Sequence, residues 1–378
     1  MKVKKFTYQI FLLCFLLGLL LENCVDPYRP KLNEEDAQTI LVVDGLITTE
    51  PGSFNVELRR SVPLDTMPNF TSETGASVYI LDDRNQRYDL WEAEPGIYRA
   101  NDDNAKAEIG VTYQLFITDA AGVNYESSPV LVQQSPEIGD LDFEEAETVV
   151  FEDNEAITKK ALDIFVNSDD ASGNTNYYQW DFVETFEVMM PNTITALDGY
   201  GMPYETTVKV PDEKKYCWVS RPQSNILVKS VANQTESTVS KFTILRIGEY
   251  DDRLFFRYSI KVRQYSISKE MYTFWNKLKD INESAGSLYD QVPSSVYGNI
   301  SSSDGEGQAL GYFNAVDAKS KRIFIEKYDH SVPAANFYED CLYVSDPGGY
   351  HFVNYFYARS AFCADCRNYG SNEKPDFW

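Results

Sequence analysis

Histidine is nearly missing: His330 and His351 are the only two in 378 residues. Neither has a serine or cysteine partner at the spacing of a nucleophilic triad, so that chemistry has no support. The chain also lacks HExxH, GxSxG and a P-loop. Gly305-Glu306-Gly307 with Gly311 misses the spacing and the strand–loop–helix setting of a dinucleotide site, and reads as a turn. Positive charge is short, with 34 Lys and Arg against 58 Asp and Glu and a formal net charge of −24. That balance disfavours nucleic acid and anionic headgroups. The acidic run Asn167–Gly173 has part of a calcium loop, but Tyr178 stands where the loop glutamate belongs. No metal and no cofactor is expected. A pair of carboxylates, all that a glycosidase needs, has no signature to locate it among so many acids.

Cysteine is sparse, and its placement is informative. Lys2, Lys4 and Lys5 precede the apolar stretch Ile10–Leu21, and Cys24 follows. The stretch is too short for a span of roughly 20 residues and fits the core of a secretory signal. A cysteine just after the cut suits the lipoprotein pathway, in which Cys24 becomes the acylated N-terminus; the rival is an ordinary signal with a chance cysteine. Residues 1–23 are read as signal peptide and 24–38 as a tether. Cys217, Cys341, Cys363 and Cys366 remain, an even number in an exported chain, and two disulfides are expected. Three pairings are possible, and nothing in the sequence chooses among them. Cys363-Ala-Asp-Cys366 lacks the helical flank of a redox motif and the second CxxC of a zinc ribbon.

Aromatics are abundant, with 26 Tyr, 22 Phe and 5 Trp, and favour strands. Leu41–Ile47 reads as the first strand. Phe54, Val56 and Leu58 alternate with polar residues, the period of a half-buried strand. Similar runs with turn residues between them continue to Ser127. Residues 39–135 are therefore expected to form an immunoglobulin-like β-sandwich. Pro136 marks the boundary, and 136–378 is expected to be a larger β-rich domain. Its candidate strands include Leu162–Val166, Tyr177–Phe186, Phe242–Ile247 and Leu254–Gln264, with an excursion over 187–215 that can hold a hairpin. One amphipathic helix is expected near 268–285: Ser268 caps it, and Met271, Phe274, Trp275, Leu278 and Ile281 share a face. Phe377 and Trp378 are expected to dock on the second domain.

Two surface features are candidates. Asp65-Thr66-Met67 matches a short O-glycosylation sequon at Thr66. The segment Tyr289–Leu310, rich in glycine and carrying Tyr289, Tyr297 and Asn299, is a candidate partner or ligand loop.

Several segments, in order, resemble a family of Bacteroidota lipoproteins catalogued as a domain of unknown function, family 4249. They are Cys24-Val25-Asp26-Pro27-Tyr28, Leu41–Ile47, Gly75–Ile80, Gly96-Ile97-Tyr98, Gly110–Tyr113, Gly286–Asp290, Gly298-Asn299-Ile300, Leu310–Phe313, Cys363–Cys366 and Lys374–Trp378. The resemblance implies an outer-membrane, lipid-anchored protein, often encoded beside a TonB-dependent transporter, and no known reaction. The functional expectation is a non-enzymatic accessory or ligand-binding partner of such a transporter. A surface glycan or peptide hydrolase and a structural envelope protein are the alternatives.

Overall fold

The computed structural model describes residues 39–62, 70–153, 155–190, 193–198, 205–223, 225–234, 237–284, 296–303, 309–335, 351–353, 356–358 and 365–378. Cys24, Thr66, Tyr289, Cys341 and Cys363 lie outside them.

The protein is mainly β, as its alternation predicts. The first unit contains β1 (Leu41–Thr48), β2 (Asn55–Ser61), β3 (Phe70–Ser72), β4 (Ser77–Asp82), β5 (Arg87–Glu94), β6 (Ile97–Ala100), β7 (Thr112–Thr118), β8 (Asn124–Ser127) and β9 (Val130–Leu131). Their pairings with one another are antiparallel, and the hydrogen-bonded order runs β8-β7-β4-β5-β6-β2-β1. Period-two patterning puts Leu41, Val43, Val56, Leu58, Val78, Ile80, Leu115 and Ile117 into one core. Phe54 sits edge-on to Tyr88 and Tyr113 there, with centroids 5.0 and 6.0 Å away. The β4–β5 turn is held by Asp82, whose Oδ1 accepts the backbone N–H groups of Arg84 and Gln86 at 2.9 and 2.7 Å.

The second unit begins with two 15-residue strands, β10 (Ile138–Glu152) and β11 (Glu155–Asp169). Then come β12 (Tyr177–Met189), β13 (Thr193–Asp198), β14 (Glu205–Lys209), β15 (Tyr216–Pro222), β16 (Leu227–Ser230), β17 (Thr238–Gly248) and β18 (Arg257–Ser266). Leu254, expected to open β18, instead ends a short 3-10 turn. β13 and β14 pair as a hairpin inside the expected excursion. Helix α1 (Lys269–Ser284) follows, with Ser268 Oγ accepting the Met271 N–H at 3.1 Å. The remaining strands are β19 (Ile300–Ser302), β20 (Ala309–Val316), β21 (Ala318–Glu326), β22 (His351–Val353) and β23 (Phe356–Ala358).

The sheet β10-β11-β17 and the sheet β15-β12-β18-β21 share one core. Leu162, Ile164 and Val166 lie in it with Trp180, Phe186, Ile260 and Val262, and Trp180 stacks on Phe242 at 4.5 Å. The indole N–H of Trp180 donates to Gln264 Oε1 at 2.9 Å. Gln264 Nε2 in turn donates to Pro136 O and Ser168 Oγ, each at 2.9 Å. The Trp180 indole and both ends of the Gln264 amide thus have partners, the condition under which core polar groups can be tolerated.

The first unit does not end at residue 135. β19 pairs with β8, and β20 pairs in parallel with β1 from Leu41↔Ala309 to Thr48↔Val316. The closure is tight. A Cβ at Gly311, whose φ is +102°, would lie 1.9 Å from the Val43 carbonyl oxygen, and one at Gly298 would lie 1.4 Å from the Gly311 carbonyl oxygen, so both positions require glycine. The two units are therefore interlocked by chain crossing.

The crossing is tied by Asp317, whose side chain is 3% exposed. Its Oδ1 accepts the Thr49 hydroxyl at 2.8 Å, and its Oδ2 accepts the Ser135 N–H at 3.0 Å. Ser135 Oγ donates to the Asp317 carbonyl at 2.6 Å and accepts the Ser266 N–H at 2.7 Å. Three chain segments meet at this carboxylate, and Ser135 links a fourth, at Ser266, to them.

The end of the chain docks on the second unit. Cys217 on β15 bonds to Cys366, which excludes a Cys363–Cys366 bridge; the other two candidates, Cys341 and Cys363, lie outside the described residues. Trp218 and Ser371 exchange backbone hydrogen bonds at 2.8 and 3.0 Å. Trp378 lies edge-on to Phe324 at 5.7 Å; Arg322 covers one face of the Phe377 ring at 3.6 Å, but that ring stays 42% exposed, so only Trp378 of the expected pair is packed in.

Candidate functional site

A cleft of about 380 Å³ opens where the two units and α1 meet. β1 contributes Asp44–Leu46, and β20 contributes Tyr312 and Asn314. β12 supplies Gln179 and Asp181, β18 supplies Arg263, the segment after β15 supplies Gln223 and Asn225, and α1 supplies Met271 and Trp275. The volume lies within the range of small-molecule sites. The helix is held there by a small apolar cluster in which Met271 and Phe274 pack with Tyr265, Ile267, Tyr312 and Val316. The Phe274 and Tyr312 rings are 5.2 Å apart.

One side of the cleft is a charge ladder. Arg263 donates twice to Asp181, Nε to Oδ1 at 2.7 Å and Nη2 to Oδ2 at 2.8 Å, and the Tyr265 hydroxyl donates to Asp181 Oδ2 at 2.7 Å. Arg263 Nη1 also lies 3.6 Å from Glu50, which Lys261 reaches at 2.9 Å. Burial opposes the Arg263 charge, but the Asp181 carboxylate outweighs it and its pKa is raised. Burial likewise opposes ionisation of Glu50, yet Lys261 and Arg263 hold its carboxyl below the ordinary value. Burial pushes the Tyr265 hydroxyl well up, with the Asp181 charge adding to the effect.

Asp44 differs. Crowding by protein atoms, reinforced by Glu57 and only partly offset by Arg59, raises its carboxyl above the ordinary range. Its side chain still reaches solvent, as a group in a concave wall does. Three other wall groups hold buried polar atoms without a hydrogen-bond partner: Gln223 Oε1, Trp275 Nε1 and Asn314 Nδ2. Asn314 as a whole is 5% exposed.

The loop residues expected to meet a ligand separate. Tyr297 is 69% exposed and belongs to the surface. Asn299 is committed to the fold: its Nδ2 donates to the Phe313 carbonyl at 2.9 Å, and its Oδ1 accepts the Phe313 N–H at 2.8 Å. It stitches the approach to β19 onto β20 as a backbone peptide would. The Asn167–Gly173 loop is also occupied with itself, since Asp170 accepts from Ser172 N at 2.9 Å and Thr175 N at 2.7 Å. Tyr178, at the position of the missing glutamate, is a fully buried ring. No group of three or more metal-ligating side chains occurs among the described residues.

Sequence reasoning missed Asp44, Asn314 and Gln223. Asp44 interrupts an apolar strand, and a charged residue in such a run is the one signal that was available.

The family model described as "Domain of unknown function (DUF4249)" matches residues 25–322. The chain belongs to this family, and the match takes in β1 to β20 and every residue lining the cleft. No curated protein matches it.

Proposed function

We propose that this chain is a lipid-anchored outer-membrane protein of the Bacteroidota, held through acylated Cys24. It acts there as a non-enzymatic ligand-binding accessory of a TonB-dependent transporter. The single observation carrying the binding role is the cleft, a concave site assembled from both units. The lysine-led leader and Cys24 support the anchor. Each buried methylene of the acyl chains contributes about 0.8 kcal/mol. Residues 24–38 let the fold stand at most about 50 Å from the bilayer.

Hydrolysis is the weaker reading. The cleft wall has two carboxylates, Asp44 and Asp181, and a glycosidase needs both to work. Both oxygens of Asp181 are occupied by Arg263 and Tyr265, which leaves Asp44 without a partner in the chemistry.

Metabolic labelling with a clickable fatty acid should mark the wild type and not Cys24→Ser. Native outer membranes should yield the protein together with a transporter in stoichiometric amount. Equal labelling of both forms removes the anchor. Purification of the labelled protein alone favours a structural envelope role.

A further inference from the structure

We infer that the far end of the β10–β11 hairpin is a docking arm, which takes an extended apolar segment of a basic protein partner as a strand added to β10. The arm is separate from the cleft and does not rest on the ligand-binding reading. Pairing of β11 with β17 stops at Ala161↔Gly248, so from Glu147↔Lys160 to Glu152↔Glu155 the hairpin is two-stranded. The core of the second unit takes in Phe143 and Leu162 but no residue of 147–158. Phe151 is 79% exposed and Val149 61%. Residues opposite one another across a strand pair share a face. Val149 and Phe151 therefore lie on one face of the arm, and Val150 and Ile157 on the other. A strand half in water alternates apolar with polar; this one is apolar on both faces. Two strands alone are marginal in water, and a third gives them something to pack on.

The open edge and the charge around it define the occupant. β10 is the outermost strand of its sheet, so its outer backbone edge is unpaired along the arm. Edges are commonly blunted by lysine, proline or a bulge, and Thr148-Val149-Val150-Phe151 has none of them. Glu147, Glu152, Asp153 and Glu155 rim the apolar tip, while Lys159 and Lys160 already face Glu152 and Glu145. A second copy added edge to edge would bring these acids against their own kind. A bilayer would have to receive Glu152, Asp153 and Glu155 before the valines. An apolar run flanked by Lys or Arg meets attraction at the rim, and main-chain hydrogen bonds to the edge supply affinity.

The test titrates the full mature chain with a short labelled peptide of alternating valine and threonine, flanked by lysines. Two controls carry flanking glutamates or a central proline. Fluorescence anisotropy measures binding, and amide hydrogen exchange locates it. The lysine peptide should bind and slow exchange over Glu147–Glu152; each control should bind at least about tenfold more weakly. Phe151→Ser and Val149→Ser should each weaken binding about tenfold or more, with an unchanged melting temperature, since both side chains are exposed. Glu155→Lys should narrow the gap between the lysine and glutamate peptides. No binding, equal binding of the three peptides, protection elsewhere in the chain, or indifference to both serine variants overturns the inference. So does capture by phosphatidylethanolamine vesicles, or self-association in sedimentation, that Phe151→Ser abolishes. Each of these results leaves the cleft's ligand-binding role standing.

Discussion

Removing the Asp317 carboxylate should loosen the whole molecule, because it ties segments that are distant in sequence. Asp317→Ala deletes the acceptors of the Thr49 hydroxyl and the Ser135 N–H. It also removes a neighbour from Lys319, 3.6 Å away. A hydrogen bond to a charged group contributes about 1.5–3 kcal/mol, and an orphaned buried donor costs about 1–3 kcal/mol. Thr49 Oγ1 retains the Ala318 N–H, which it accepts at 3.1 Å, so its loss is partial. The sum is a destabilisation of about 3–5 kcal/mol, the size seen when one partner of a buried pair is removed. Urea unfolding followed by tryptophan fluorescence and circular dichroism measures it. The midpoint should fall, and the two probes should separate as the units uncouple. Ser135→Ala, which keeps the carboxylate but loses the links to the Asp317 carbonyl and the Ser266 N–H, should give a smaller loss of the same kind. A change below about 1 kcal/mol for Asp317→Ala, with coincident probes, would refute the argument that this carboxylate holds the crossing together.

Gln264→Leu leaves the Trp180 indole N–H without its acceptor and takes a donor from the Pro136 carbonyl and from Ser168 Oγ, which keeps Tyr178 as a partner. It should cost about 2–4 kcal/mol; an unchanged melting curve would show the network to be dispensable. Non-reducing peptide mapping should recover Cys217 linked to Cys366. Cys217→Ser should lower stability by roughly 2–5 kcal/mol, because the bridge closes a long loop. A Cys363–Cys366 peptide would contradict it. Asp44 binds its proton at higher pH in the folded chain than its ordinary value of 3.8. Its contribution to stability should therefore be fully present below about pH 3.8 and decline as pH rises through the raised value. Asp44→Asn should flatten that slope and be the more stable form at neutral pH; parallel profiles would show that the group titrates normally.

Local pattern accounts for much of this architecture. Alternation of apolar and polar residues marks β2, β4 and β7 because a strand presents successive side chains to opposite faces. Ser268 and the spacing of Met271, Phe274 and Trp275 mark α1 because capping and the 3.6-residue period act within a few residues. Trp378 reads as docked because a large ring gains by leaving water, and it does pack on Phe324, whereas Phe377 keeps much of its surface exposed.

Pairing is another matter. β1 and β20 meet across about 270 positions, and nothing in Leu41–Thr48 states that its neighbour is parallel and distant. That partnership follows from burying both strands against one core and from Gly311, which admits the close approach to Val43. The choice of Cys366 over its rivals for Cys217 likewise depended on where the docked tail passes β15. The cleft exists only after this assembly. Asp44, Gln223, Trp275 and Asn314 lie on separate elements, and no motif connects them. The sequence by itself determined the strands, the helix and their faces, since those depend on neighbours along the chain. Only the tertiary structure decided which strands meet and which polar groups are left unpaired, since both depend on what the rest of the chain excludes from water.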